Sequence, residues 1–354
     1  MKRKTMILFL VGVILIVLLL HTLDIKQIEG KLVKMPKQEL LSYLTGLFII
    51  QLAVMLLSAL KWRIVLRNSQ VSMKNIIPAT FVGYLVNNIT PVGLAGGEPI
   101  RAYILYKTDR ISMPTSASSV IVDLFLEIFP IFIMILASIG IVLSSGVPLE
   151  VSVLLLVMML ILAVLFAAVV SIVYHKPYSS SLLRIIGKII SVTPFFRRYS
   201  ERLGDEFEDI THRFDEAMKL QLLDNQIIIQ GVFISSLVWI LRVVRLYVSF
   251  LALGVEVALP TVVVVETMVS AVSFLPLLPG AMGIWEWTSV ELFSIVSPYS
   301  GISITREYAA MGTLMNRVFL YLIPCVIGVL AAFYLGLNIS RITGEDKGGL
   351  EESI

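Results

Sequence analysis

Apolar residues gather along this chain into runs of about 20, the length needed to cross about 30 Å of hydrocarbon. Such runs occupy residues 6–20, 40–60, 115–143, 151–174, 227–253 and 308–337. The first follows a basic start, "MKRK", has no polar break, and is followed by "HTLDIKQIEG", which offers no small-residue cleavage site. It therefore reads as a retained helix with a cytosolic N-terminus rather than a cleaved signal. The pattern predicts an all-α polytopic membrane protein with six full spans.

Two further segments, 75–106 and 260–293, decide the topology. Lys61, Arg63, Arg67 and Lys74 precede the first, and Lys107 and Arg110 follow it. Under the positive-inside rule both its ends are then cytosolic, so it is expected to enter and return as a re-entrant helical hairpin. The second lies between loops with few positive charges, which makes it a hairpin from the outer side. Both termini then face the cytosol of a multi-pass protein of the cell membrane.

The region 175–224 is polar. "SLLRIIGKIISV" sets Leu183, Ile186 and Ile190 against Arg184 and Lys188, and Tyr199, Leu203, Phe207, Ile210 and Phe214 recur at helical spacing. Two amphipathic helices on the cytosolic surface are expected, as a connector covering helix ends or as a basic platform for anionic lipid. The expected organisation is one integral membrane domain, 1–338, with repeat halves at about 40–174 and 225–338 and a disordered cytosolic tail, 339–354.

The sequence between Asn87 and Tyr106, "NNITPVGLAGGEPIRAYILY", carries prolines, glycines and charges where the surroundings are apolar. In "PVGLAGGE" Pro91 is followed by glycines and then by Glu98, and in "PGAMGIWE" Pro279 is followed by glycines and Glu286 at the same offset. One copy lies in each half, and the two hairpins have opposite expected orientations, the pattern of an inverted repeat. Non-helical backbone survives at membrane depth only where protein buries it or a wet cavity receives it, so the breakers mark a cavity. Gly96 and Gly97 allow a turn and Pro99 suits the first helical position, which starts a half-helix near Glu98. Its N-terminus would present amides and a partial positive charge suited to an anion such as phosphate, with Arg101 in the same turn. The structural alternative is that Glu98 and Arg101 cap and tether the hairpin.

Other charges lie inside the spans. Asp123 and Glu127 share one helix face, as do Arg242 and Arg245, and Arg317 lies deep in the last span. None can face lipid without cost, and mutual pairing is the alternative to a role in binding. Glu266 and Glu291 are weaker candidates because each is close enough to a span end to reach the outer interface. The candidate substrate-binding set is Asn87, Asn88, Glu98, Arg101, Asp123, Glu127, Arg242, Arg245, Glu286 and Arg317. Pro130 and Pro324 are expected to kink their helices.

Composition narrows the chemistry. The 354 residues are 57% hydrophobic and 15% charged, with net charge +3. The only cysteine, Cys325, excludes an intrachain disulfide framework and a multi-cysteine metal site. There is no "GxxxxGK[ST]", "HExxH" or "GxSxG", and the three histidines, His21, His175 and His212, sit at span ends or in the polar connector. No nucleotide, metal or other cofactor is expected, and nucleic acid is not an expected partner.

The paired motifs at 87–101 and 276–286, with the span count and length, resemble the lysylphosphatidylglycerol synthase transmembrane region family, also known as uncharacterised protein family 0104. The resemblance runs from about Ile7 to Leu337. That family includes the lipid-translocating half of bacterial multiple peptide resistance factors and the membrane part of some archaeal glycosylation proteins. It implies a flippase-like fold with a cavity for an anionic or aminoacylated headgroup. Only a short tail follows Leu337 here, so no aminoacyl-transferase domain, and no lysyl transfer, is expected.

The expected function is that of a lipid flippase, not an enzyme, moving an anionic, aminoacylated or polyprenyl-phosphate-linked lipid between leaflets, with its phosphate-containing headgroup docked near Glu98. One alternative is an intramembrane lipid transferase using the Asp123 and Glu127 carboxylates. Another is a noncatalytic membrane partner of a separate glycosyl or aminoacyl transferase.

Overall fold

The computed structural model describes residues 14–19, 21, 36–90, 96–174, 206–273 and 278–336. Among these residues the chain is helical throughout, with no strand. Its elements in order are α1 (Lys37–Val65), α2 (Met73–Ile89), α3 (Glu98–Thr108), α4 (Met113–Phe125), α5 (Ile128–Ser145), α6 (Leu149–Tyr174), α7 (Glu206–Leu222), α8 (Asn225–Leu251), α9 (Leu259–Ser273), α10 (Ile284–Val296) and α11 (Arg306–Arg317). A 3-10 turn, Pro279–Ala281, precedes α10, and a π-helical turn, Val318–Leu322, continues α11.

Four helical stretches among the described residues are long and apolar enough to cross a membrane: Lys37–Val65, Met113–Ser145, Asn225–Leu251 and Arg306–Gly336. They coincide with four of the six expected spans. A fifth, 151–174, is the helix α6, whereas most of the first, 6–20, lies outside the described residues. The protein is turned inside out relative to a soluble domain. Leu143 and Phe333 are 65% and 70% exposed while Lys61 and Arg245 are each 1% exposed. Burying charge and exposing large apolar side chains lowers free energy only where the surroundings are hydrocarbon.

Local signals start these helices. Ser72, Ser112 and Asp224 each accept a hydrogen bond from a backbone N–H in the first turn of α2, α4 and α8, satisfying amides that the helix cannot. Prolines act where they stand. Pro130 has no N–H for the carbonyl of Leu126, and the stretch Met113–Ser145 breaks at residues 126–127 into α4 and α5. Pro324 cannot bond the carbonyl of Leu320, which lies within the π-helical turn of the last stretch.

The helices of the pair α2 and α3 fold back on each other, and so do those of the pair α9 and α10. At the open end of the first, Asp109, which follows α3, accepts from the Ser72 backbone N–H at 3.0 Å and from Asn75 Nδ2 at 3.1 Å at the start of α2. At the open end of the second, Thr261 at the start of α9 bonds Ser300 beyond α10 at 2.5 Å. Helices α1 and α8 pack along each other, and Arg67 just past α1 lies 3.7 Å from Asp224 just before α8. These two helices are therefore antiparallel. The largest apolar cluster joins α5, α6, α8, α9, α10 and α11 through residues such as Ile135, Leu246, Phe250, Val265 and Phe293.

Of the expected amphipathic connector, residues 206–222 form α7. Phe214 and Met218 are buried there against Val65, Val122, Leu126 and Ile227, so α7 covers the end of α1 and one side of α4 and α8. The expected helix around 183–190 and the tail 339–354 lie outside the described residues.

Candidate functional site

The site begins where α3 starts against α2. A Cβ on Gly97 would stand 2.1 Å from the carbonyl oxygen of Gly83, so this approach of two helices requires glycine. Glu98 opens α3 with Pro99 beside it, where the sequence places the helix start. Arg101, one turn later, lies across Gly83 and donates to Glu98 at 2.9 Å and to Asp123 of α4 at 3.1 Å. Its guanidinium sits 4.2 Å above the Trp62 ring of α1. Lys61, one residue earlier, donates to the Asp123 carbonyl at 3.0 Å and to Glu127 at 2.7 Å, and its ammonium lies 3.3 Å from the Asp123 carboxylate.

From Glu127 the charges continue into the second half of the chain. Arg242 of α8 stands beside Tyr84, Glu127 and Glu266, with its guanidinium 4.8 Å from the Trp239 ring. Arg245, one turn later, donates to Asn316 at 2.8 Å and to Gln51 at 2.5 Å, and faces Glu266 of α9. Arg317 lies beside Arg245 and pairs with Glu286 at 2.7 Å. Glu286 also accepts from the Gly283 N–H at 2.6 Å, capping α10 with its own carboxylate. A string of charged side chains within electrostatic reach of one another thus runs from Glu98 to Glu286 through the interior.

The two breaks meet. Asn87 accepts from the Gly97 N–H at 2.6 Å, and its amide lies 3.5 Å from Glu98. Asn88, its neighbour, donates to the Tyr321 carbonyl at 3.4 Å, and its own carbonyl accepts from the Tyr321 hydroxyl at 3.1 Å. Gly280 has φ +56°, and a Cβ there would stand 3.1 Å from the Asn88 carbonyl oxygen and 2.6 Å from the Tyr321 ring. Arg317 also donates to the Gly280 carbonyl. The end of α2 therefore touches the turn before α10, with Tyr321 on the π-helical turn between them. Residues 91–95 and 274–277 of the two turns lie outside the described residues.

All ten residues of the expected set therefore belong to one neighbourhood, reached from α2, α3, α4, α8, α10 and α11. Two expectations change. Lys61 is not a flanking charge at the cytosolic surface, because α1 continues to Val65 and carries its ammonium onto Asp123 and Glu127. Glu266 does not reach an interface; it is 3% exposed, since α9 turns it toward Arg242 and Arg245. Glu291 does lie near the surface, half-exposed and paired with Arg306. The residues that sequence reasoning passed over are Gln51, Trp62, Tyr84 and Asn316. Gln51 and Asn316 were visible as polar interruptions of apolar runs, but nothing local names Arg245 as their common partner. Among the described residues no group of three or more His, Cys, Asp or Glu is placed to hold a metal.

Comparison with known proteins adds the family. Residues 6–328 match the profile of the lysylphosphatidylglycerol synthase TM region. The chain belongs to that family. A UPF0104 membrane protein of Methanothermobacter thermautotrophicus is 30% identical over 345 residues, covering 96% of this chain and 98% of the relative. A second from the same organism is 29% identical over 302 residues, 83% of each. One from Methanocaldococcus jannaschii is 25% identical over 343 residues, covering 94% of this chain and 97% of the relative. No solved structure matches the chain. Family membership makes this a membrane protein and points to a lipid-related role.

Proposed function

We propose that the protein is a flippase that moves a lipid with a phosphate-containing headgroup between leaflets, and that α2–α3 and α9–α10 are re-entrant hairpins of an inverted repeat. The contact of Asn88 with Gly280 carries this reading. Hairpins that open at opposite ends of the antiparallel pair α1 and α8 and touch at their breaks leave polar backbone at mid-depth, where a headgroup can exchange water for protein. Element order supports the repeat: each half runs as a long span, two short helices and a long span whose α-helical hydrogen bonding is interrupted near a proline. Within this reading Glu98–Arg101 is the carboxylate and guanidinium pair of the first hairpin, and Glu286 of the second pairs with Arg317 of the following span.

The headgroup crosses along the string from one pair to the other, exchanging one arginine for the next while the carboxylates hold each guanidinium in place. Asp123 and Glu127 share Lys61, an arrangement suited to fixing α1 against α4 rather than to acid–base work on a lipid. The test is leaflet exchange in vesicles of phosphatidylcholine with a trace of fluorescent phosphatidylglycerol. A membrane-impermeant quencher should reach about half the label without protein and nearly all of it with protein. Arg317→Ala should return the extent to about half. Equal extents with and without the wild-type protein, across several phosphate-bearing headgroups, refute flipping.

A further inference from the structure

The string is electrically balanced. Its cations are Lys61, Arg101, Arg242, Arg245 and Arg317, and its carboxylates are Glu98, Asp123, Glu127, Glu266 and Glu286. An anionic phosphate that enters leaves one negative charge uncompensated in surroundings where such a charge costs several kcal/mol. It can be accommodated if one carboxylate takes up a proton.

Four of the carboxylates are held by direct ion pairs: Glu98 with Arg101, Asp123 with Lys61 and Arg101, Glu127 with Lys61, and Glu286 with Arg317. Among the described residues Glu266 makes no such direct pair, and its Oε2 is buried with no hydrogen-bond partner. Among the described residues Arg245 Nη2 and Asn316 Nδ2 are likewise buried donors without an acceptor, on two side chains joined to each other at 2.8 Å, with Glu266 within electrostatic reach of Arg245. Two open donors on the joined Arg245 and Asn316 side chains, with the Glu266 carboxylate near enough to act on Arg245, make a site that can accept an anion once that carboxylate is neutral. The groups around Glu266 are few. Arg242 and Arg245 face it from α8, and Ser270 from its own helix. The α5 helix packed beside α9 carries no titratable side chain. The two carboxylates of α10 are engaged elsewhere, Glu286 with Arg317 and Glu291 with Arg306. The neighbouring 3-10 turns, Pro279–Ala281 and Ser297–Ser300, contribute only Tyr299, which is exposed.

We propose that Glu266 takes up one proton from water as a phosphate diester binds Arg245 and Asn316, so that the headgroup crosses together with that proton. The proton lands on Oε2, converting carboxylate to carboxylic acid, and the phosphate supplies the negative charge that Glu266 gives up. Proton and anion move in the same direction, which gives transport a gradient to draw on. This inference rests on the lipid-transport reading.

The experiment is calorimetric titration of the purified protein in detergent micelles, in two buffers of different ionisation enthalpy. The ligands are dihexanoyl phosphatidylglycerol and, as the lipid-free form of the same chemistry, dimethyl phosphate; both remain monoanions across the working pH range. The wild-type protein should take up about one proton per ligand, and its affinity should rise about tenfold per unit fall in pH where Glu266 is ionised. Glu266→Gln, nearly the same in shape, should bind with no proton uptake and no such slope. Wild-type binding without proton uptake overturns the inference and leaves lipid transport standing, as does a Gln variant that takes up the proton as before. The wild-type measurement stands even if the variant does not fold. Binding of dimethyl phosphate but not of the phospholipid, with a proton, supports the coupling and assigns it to a free anion. Failure of both ligands to bind overturns the lipid reading and this inference with it.

Discussion

Replacing Lys61 by methionine removes the ammonium and keeps most of the stem. In the native protein that ammonium compensates the Asp123 carboxylate at 3.3 Å and the Glu127 carboxylate at 2.7 Å, and donates to the Asp123 carbonyl at 3.0 Å. Arg101 still reaches Asp123 in the variant, so the uncompensated charge is chiefly that of Glu127, whose side chain is 18% exposed. Removing one member of a buried pair costs about 3–5 kcal/mol, and the partial exposure of Glu127 places the expectation toward the lower end. A loss of about 3 kcal/mol lowers the folded-to-unfolded ratio on the order of a hundredfold. The assay is equilibrium unfolding of the purified protein in mixed micelles, followed by helical circular dichroism as denaturing detergent is increased. The double variant Lys61→Met with Glu127→Gln removes the stranded charge and should recover about half of the loss, through a coupling of about 1–3 kcal/mol. If Lys61→Met changes stability by less than about 0.5 kcal/mol, as a surface substitution does, the ammonium is not buried between α1 and α4 and the reasoning fails.

Gly97→Ala should destabilise by about 1–3 kcal/mol or more, because its Cβ would meet the Gly83 carbonyl oxygen at 2.1 Å and backbone must move, whereas Gly140→Ala, with open space around it, should be neutral or slightly stabilising in the same assay. In a background carrying Cys325→Ser, cysteines at Asn88 and Gly280 should be joined by a short bifunctional thiol reagent, and efficient joining of Asn88 to Leu143 instead would refute the meeting of the two breaks.

The end of α3 is held against the start of α2 by contacts that span dozens of residues, and much else in this protein is local. Runs of apolar residues long enough to cross hydrocarbon specify spanning helices because the backbone must satisfy its own hydrogen bonds in lipid, whatever packs alongside. The start of α3 at Glu98 was legible in "GGEP" because glycine and proline act on their own backbone. The break near Pro130 and the π-helical turn just before Pro324 were legible for the same reason: each proline withholds one N–H from the carbonyl four residues earlier. The duplicated glycine, proline and glutamate pattern singled out Asn87, Asn88, Glu98, Arg101 and Glu286, and charge within apolar spans singled out the other five residues of the set.

Partners of buried charges were not legible. Lys61 stands near the end of an apolar helix, where a lysine can reach the interface or turn inward, and its sequence neighbours do not distinguish the two. Asp123 and Glu127 decide it, and they lie 62 and 66 residues away. Glu266 was equally ambiguous until α8 set Arg242 and Arg245 against it, and Gln51 acquires its partner Arg245 only across 194 positions. The sequence by itself determined which stretches are helical and where they break, because propensity, hydropathy and the geometry of proline and glycine operate within a turn or two. The tertiary structure alone decided which charges neutralise which, and that the two breaks meet at Asn88 and Gly280, because Coulomb and packing energies depend on distance in space and the chain reaches those distances only when folded.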